Sequence, residues 1–346
     1  MNDAYPYPPA PTSPQDGLAG HIPAARSAYN RVGLGMLVFI LVPQLVSLVL
    51  AVAALLAFPA FYQSAWYAWF NQVLCMYMIG APLALLVIGL SPQAPGHREK
   101  RPLSVPQLLG IFCIMETVAL LGSIISGGLM QLVSSLTGGE YTSPVEELLA
   151  GAPWWLLLTV VGVIGPILEE LICREALMRR LLPFGEKSAI FFSALLFGLM
   201  HGNFYQLFYA VGLGAILAYV YARTNNIAYP CILHAALNSL SCLQSIAVGA
   251  VDIDTLQESA SLGAQMEWLR ANLLPYLATI LLTLLVYGLA IAGFVLLIRR
   301  YRRLSFGACP FPLPKEGRLS AWLGNVGMIL FFVTSFLLIG LTLIPA

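Results

Sequence analysis

Apolar positions in this chain do not alternate with polar ones at a short period; they run on for whole helices at a time. Stretches of the length needed to cross a bilayer, about 20 residues at about 1.5 Å of rise each, fall at roughly 33–58, 68–90, 106–136, 153–182, 188–203, 205–223, 227–249, 271–298 and 320–343. The fifth is the shortest and is parted from the sixth only by Gly202-Asn203-Phe204. The pattern predicts an all-α, polytopic transmembrane bundle of nine spans, with eight as the alternative. It shows no internal repeat and no Gly/Pro-broken helix pair of the kind that transporters use.

The polar segments divide the chain further. Residues 1–30 are rich in Pro, Ala, Ser and Tyr and predict a disordered cytoplasmic tail. The apolar run behind them is too long for a signal peptide and has no small-residue cleavage site. Residues 31–149 then read as N-terminal membrane helices, 150–250 as a core that holds the chemistry, and 251–346 as an extracytoplasmic segment followed by C-terminal membrane helices. The stretch 252–270 mixes polar and apolar residues; it reads as a solvated loop, with an interfacial helix or lid as the alternative.

Composition fixes the solvent. The chain is 59% hydrophobic and 10% charged, with a mean hydropathy of +0.82, against about 45–50% and 25% for a soluble domain. Most of it must therefore face lipid, which makes it an integral protein of the cell membrane. With nine spans and a cytoplasmic N-terminus, 15 of the 17 Lys and Arg residues fall on the cytoplasmic side, all but Arg174 and Arg270, as the positive-inside rule requires. The net charge of +1 and the lack of a large basic cluster exclude nucleic acid as a partner. None of the six cysteines forms a C-x-x-C pair, so they read as small apolar fillers and not as a disulfide framework or zinc knot.

Against this background a few ionisable residues stand out, because each costs at least a few kcal/mol inside a bilayer and marks function by default. The fourth span contains Glu169, Glu170 and Arg174, the fifth ends in His201, and the seventh contains His234 and Asn238. Glu170 and Arg174 are four apart and share a helix face, so they can pair; Glu169 lies about 100° round the helix and points elsewhere. His234 and Asn238, also four apart, align toward one partner. Counted from the cytoplasmic helix ends, Glu169 and His201 lie roughly 20 Å deep and His234 and Asn238 roughly 11–17 Å deep. Similar depth on three helices predicts one shared polar cavity, open to the cytoplasm.

Two chemistries fit that set. A carboxylate and a histidine can activate water, while an Asn amide and a second histidine meet a developing oxyanion. Alternatively, Glu169, His201 and His234 could ligate a divalent metal such as zinc, with an open position for water. The H-E-x-x-H signature is absent, and neither Ser193 nor Cys173 has the setting of a nucleophile elbow. The plainer alternatives are a structural ion pair between Glu170 and Arg174 and interhelical hydrogen bonds for the histidines. Glu116 is isolated in the third span and fits a cavity wall or a packing contact equally. Glu175 could simply balance Arg179.

At these residues the chain resembles the CPBP family of intramembrane proteases, also called the CAAX-protease and bacteriocin-processing or Abi family. That family is marked by E-E-x-x-x-R, F-x-x-x-H and H-x-x-x-N/D on successive membrane helices, here Glu169-Glu170-Leu-Ile-Cys-Arg174, Phe197-Gly-Leu-Met-His201 and His234-Ala-Ala-Leu-Asn238. The likeness covers about residues 150–250. It implies an endopeptidase acting on a peptide or protein substrate at the membrane, in the eukaryotic branch on the C-terminal tripeptide of a prenylated protein. By the family pattern Glu169 and His201 would activate the water, His234 and Asn238 would stabilise the oxyanion, and Glu170 and Arg174 would support the site. Metal-dependent and metal-free glutamate mechanisms have both been argued for the family, and both stay open here. The competing reading is a non-catalytic membrane protein, such as a proton-linked transporter or an immunity or scaffold protein, that uses the same polar cluster.

Overall fold

The computed structural model describes residues 16–91, 100–143, 152–251, 261–307 and 309–344. Among them there is no strand; the chain is an all-α bundle. In chain order the helices are α1 (Asp16–Ala57), α2 (Ala65–Gly89), α3 (Val105–Thr137), α4 (Trp154–Phe184), α5 (Glu186–Leu199), α6 (Phe204–Thr224), α7 (Ala228–Gly249), α8 (Leu262–Arg300), α9 (Lys315–Leu323) and α10 (Val326–Leu341). Helices α4 to α7 form the centre. On one side α1 packs against α2 and α10; on the other α3 packs against α6 and α8.

Three expectations need correction. The tail predicted over 1–30 is shorter, because α1 starts at Asp16 and buries His21, Ala25, Ala28, Tyr29 and Val32. Those positions keep helical spacing, but a tail-like composition precedes them; residues 1–15 lie outside the described residues. The segment 252–270 is not one loop: 252–260 lie outside the described residues, and from Leu262 the chain is already α8.

The third correction concerns the number of spans. Seven helices among the described residues are long and apolar enough to cross a membrane, and the bent pair α9–α10 makes an eighth. The ninth expected span is α5. Its 14 residues reach about 21 Å, short of the roughly 30 Å hydrocarbon core, and Ala189, Phe192, Ser193, Leu196 and Phe197 are all buried. An apolar helix wrapped by protein has the same composition as one wrapped by lipid. α5 and α6 form an antiparallel hairpin, with Ala194 and Phe197 closing on Gly214, and Gly198 on Val211.

The bend itself does not overturn the expectation about transporter-like breaks among the described residues. α9 and α10 meet at a 60° bend across Gly324 and Asn325, where Asn325 caps α10 by accepting from the Met328 N–H. This is one broken pair, not the two in matching halves of the chain that a transporter would show.

With lipid on the outside, burying apolar surface gives little net drive, and close backbone approach does more of the work. At the α3–α8 crossing a Cβ on Gly293 would stand 1.8 Å from the Cys113 carbonyl oxygen, and the Thr117 hydroxyl donates to the Ala290 carbonyl at 2.6 Å. Gly293→Ala is therefore expected to force the two helices apart. It should cost about 1–3 kcal/mol as overpacking, read as a lower unfolding temperature in detergent.

The basic helix ends collect in one layer. Arg180 at the end of α4 donates to the Ser91 carbonyl at 3.0 Å and the Gly89 carbonyl at 3.3 Å, closing the end of α2. Glu186 at the start of α5 pairs with Arg223 at the end of α6 and accepts from the Gly307 N–H. The segment after α8 is pinned here too, with Phe311 N–H on the Pro183 carbonyl at 2.9 Å.

Candidate active site

The helix that carries the paired glutamates is not regular. In α4, Leu157–Ile164 and Leu171–Met178 are wound as π-helix on either side of a single α-helical stretch, Gly165–Glu170. Wide turns of this kind recur at functional sites, where they re-aim side chains. Pro166 falls inside the stretch, where it has no N–H to supply to an ordinary helical ladder. The two adjacent glutamates then meet different surroundings.

Glu170 faces inward and is fully buried. One carboxylate oxygen stands 3.1 Å from the Arg174 Nε as an ion pair, and the other lies 2.9 Å from the His234 Nδ1. Arg174 is equally buried; it donates to the Gly214 carbonyl at 3.1 Å and lies over the Phe197 ring at 4.6 Å from its centre. The predicted pairing of Glu170 with Arg174 is thus present, and it is tied to α5, α6 and α7. A buried charge without partners would cost several kcal/mol; here each has them.

Glu169 turns the other way, into a cavity of about 560 Å³. Its side chain is 19% exposed, and its carboxylate lies 3.9 Å from the His234 Nε2. The His234 imidazole therefore stands between the two carboxylates, held by Glu170 on one nitrogen and presenting the other toward Glu169.

His201 is fixed by its own motif. Its Nδ1 lies 2.7 Å from the Phe197 carbonyl oxygen, four residues back. A carbonyl can only accept, so Nδ1 holds the proton and Nε2 of the neutral ring is bare. The Phe197 ring meets both histidines edge-on, at 5.2 Å from His201 and 5.6 Å from His234. One side chain thus positions the arginine and both imidazoles.

Asn238 donates to the Val161 carbonyl at 3.2 Å, which leaves its second amide hydrogen free for another acceptor. The expected common partner for His234 and Asn238 is not what the structure holds: the imidazole is bound to Glu170 and the amide to the π-wound part of α4. Both still line the cavity with Glu169 and His201.

The cavity also takes residues that the motifs do not mark. Tyr77 and Gln72 come from α2, and Gln44 from α1. The Tyr77 hydroxyl lies 2.7 Å from where a Cβ on Gly165 would be, so the absence of a side chain one turn before Glu169 admits the phenol. Only the lone polar residues in otherwise apolar helices could have hinted at these walls. Further lining comes from the His201–Gln206 turn and from Leu338, Leu341 and Thr342 at the end of α10. These are mid-helix positions or ends remote from the basic layer, so the cavity leans away from the side on which it was expected to open.

The remaining candidates fall outside it. Ser193 is fully buried and donates to the Cys173 carbonyl at 3.3 Å, so neither faces the cavity. Glu116 is buried and is not part of the lining. Glu175 pairs with Arg179, as expected, and also accepts from the Tyr221 hydroxyl at 2.9 Å. Among the described residues no three His, Cys, Asp or Glu side chains stand close enough to hold one metal ion. The alternative zinc set of Glu169, His201 and His234 is not gathered into a ligand cage in this arrangement.

Residues 151–240 match the family model described as type II CAAX prenyl endopeptidase Rce1-like. The chain is 27% identical over 172 residues to the putative membrane peptidase YdiL of Bacillus subtilis, covering 47% of this chain and 67% of that one. It is 25% identical over 179 residues to the membrane-embedded CAAX protease MroQ of Staphylococcus aureus, covering 48% and 69%. No solved structure matches it. The stretch matched by the family model contains Glu169, Glu170, Arg174, His201, His234 and Asn238, and the likeness found is to CAAX-protease-like membrane peptidases, which supports a protein of the CPBP family.

Proposed function

We propose that this chain is an intramembrane endopeptidase in which Glu169, assisted by His201, activates the water that cleaves a peptide bond. The observation that carries the reading is the split between the two glutamates: Glu170 is locked to Arg174 and His234, while Glu169 is left facing the cavity beside the His234 Nε2. A carboxylate presented to a sheltered, partly wet space is a ready general base.

In this mechanism Glu169 takes a proton from water as the water oxygen attacks the carbonyl carbon. The free amide hydrogen of Asn238 meets the oxyanion, with the His234 ring, held by Glu170, beside it. The bare Nε2 of His201 accepts a hydrogen bond from the same water and holds it for attack, and Glu169 passes the proton it has taken to the leaving nitrogen. The C–N bond then breaks, giving a carboxylic acid and an amine and leaving Glu169 ionised as before. Glu170 and Arg174 act by holding His234. No step is assigned to a metal, because the donors are not grouped for one.

The matched family model is named for a CAAX prenyl endopeptidase and MroQ for a CAAX protease, and the apolar walls around Glu169, with Phe39, Ile40, Met76 and Leu338, suit an apolar segment beside the scissile bond. The start of α1 lies in the layer of basic helix ends, with Ile22 against Gly317 and His21 against Phe311, which supports a cytoplasmic N-terminus. The non-catalytic alternative draws no support from the relatives, both of which are named as peptidases.

The test is cleavage by purified protein in liposomes, using C-terminal peptides with and without a prenyl group and locating the cut by mass spectrometry. Cleavage that persists after chelation to trace metal is the expected result. Cleavage lost on chelation and restored by zinc would overturn the metal-free route, and no cleavage of any peptide would sink the peptidase reading.

A further inference from the structure

At the other end of α5 from His201 lies a second cavity, of about 640 Å³, which shares no lining residue with the first. Its walls are the start of α5, residues 306–307 and 309–313, and α9. Phe184, Phe191, Phe192, Phe306 and Trp322 make it largely aromatic. Its charged residues are Glu186, Lys187 and Arg318. Glu186 is already matched by Arg223 and by the Gly307 N–H. Lys187 sits over the Phe306 ring at 4.9 Å, and Arg318 donates from Nε to the Leu313 carbonyl at 3.0 Å, which leaves the outer nitrogens of its guanidinium open. The cavity thus offers two cations, while its one carboxylate, Glu186, is already engaged by Arg223 and the Gly307 N–H.

Its place in the bundle says what kind of anion reaches it. It lies in the layer of basic helix ends, where a bilayer's headgroups begin. α9 leaves the line of α10 by 60° at this level, as a helix lying toward the interface does. Beside the cavity, Phe191 is 59% and Leu319 67% exposed, giving an apolar path outward into the hydrocarbon. Basic pockets among membrane helices suit anionic headgroups, aromatic walls suit the interfacial region, and the volume falls within the roughly 300–1,000 Å³ of small-molecule sites.

We propose that this cavity is a binding site for an anionic phospholipid, with the headgroup phosphate between Lys187 and Arg318 and the acyl chains leaving past Phe191 and Leu319. An inorganic phosphate offers the same charge but no use for the apolar path, so lipid is the occupant. The proposal does not depend on the peptidase reading.

The experiment is native mass spectrometry of the delipidated full chain, offered phosphatidylglycerol or phosphatidylcholine with identical acyl chains, or inorganic phosphate. Wild type should retain phosphatidylglycerol about tenfold or more better than phosphatidylcholine, given roughly tenfold per 1.4 kcal/mol and about 1 kcal/mol for each basic group near an anionic headgroup. K187Q/R318Q should lose that preference. R299Q/R300Q, which removes two charges from the same layer outside the cavity, should keep it. Circular dichroism and elution as a single species establish that both variants are folded. The proposal is overturned by equal retention of the two lipids, by an unchanged preference in K187Q/R318Q, by equal loss in R299Q/R300Q, or by inorganic phosphate displacing the lipid.

Discussion

Glu169→Gln is expected to remove peptide cleavage almost completely, by about 10²–10⁴-fold, the usual contribution of a positioned general base, while the protein inserts and folds as before. The side chain keeps its shape and loses only its ability to take a proton. Glu169 makes no contact on which the bundle rests: it is partly exposed to the cavity, and its nearest recorded partner is the His234 Nε2 at 3.9 Å. The unfolding temperature of the variant should therefore stay within the small range of surface-like substitutions, about ±0.5 kcal/mol. Initial rates on a reconstituted peptide substrate, taken beside a thermal scan of the same sample, decide it. A variant that unfolds early would assign Glu169 a structural role; one that cleaves at the wild-type rate would remove it from the chemistry.

Arg174→Met should do the reverse and strike the fold first. It strips the buried Glu170 carboxylate of its cation, empties the donor from the Gly214 carbonyl and takes the guanidinium off the Phe197 ring. Breaking one partner out of a buried pair costs about 3–5 kcal/mol, and both groups here are fully buried. The variant should show a strongly lowered unfolding temperature or fail to accumulate. Adding Glu170→Gln neutralises the stranded charge and should restore much of the stability, yet leave cleavage low, since the His234 Nδ1 loses its carboxylate. Recovery of stability and cleavage together in the double variant would show that Glu170 and Arg174 only pack the helices.

The site was legible in part because its geometry is local. A spacing of four on a helix dictates that Glu170 can reach Arg174, and the same spacing puts the Phe197 carbonyl under the His201 ring. The adjacent glutamates had to diverge for the same reason. What the spacing could not tell was the π-winding of α4, since a π-turn depends on the partners that hold the displaced backbone, as Asn238 holds Val161. Nor could it tell that His234 and Asn238 would answer to different groups, or that Tyr77 and Gln44 would reach the cavity from helices far away in sequence.

The apolar runs alone determined that this is an all-α membrane bundle, because lipid leaves the backbone no partner but itself and only helices of that length and composition satisfy it. Only the tertiary structure decided which apolar run is wrapped in protein, as α5 is, and that the paired Glu170 also holds His234. It also decided that the cavity leans away from the basic helix ends. Composition records whether a residue avoids water, but not whether its neighbour is a lipid chain or another helix, and that choice is made when the helices pack.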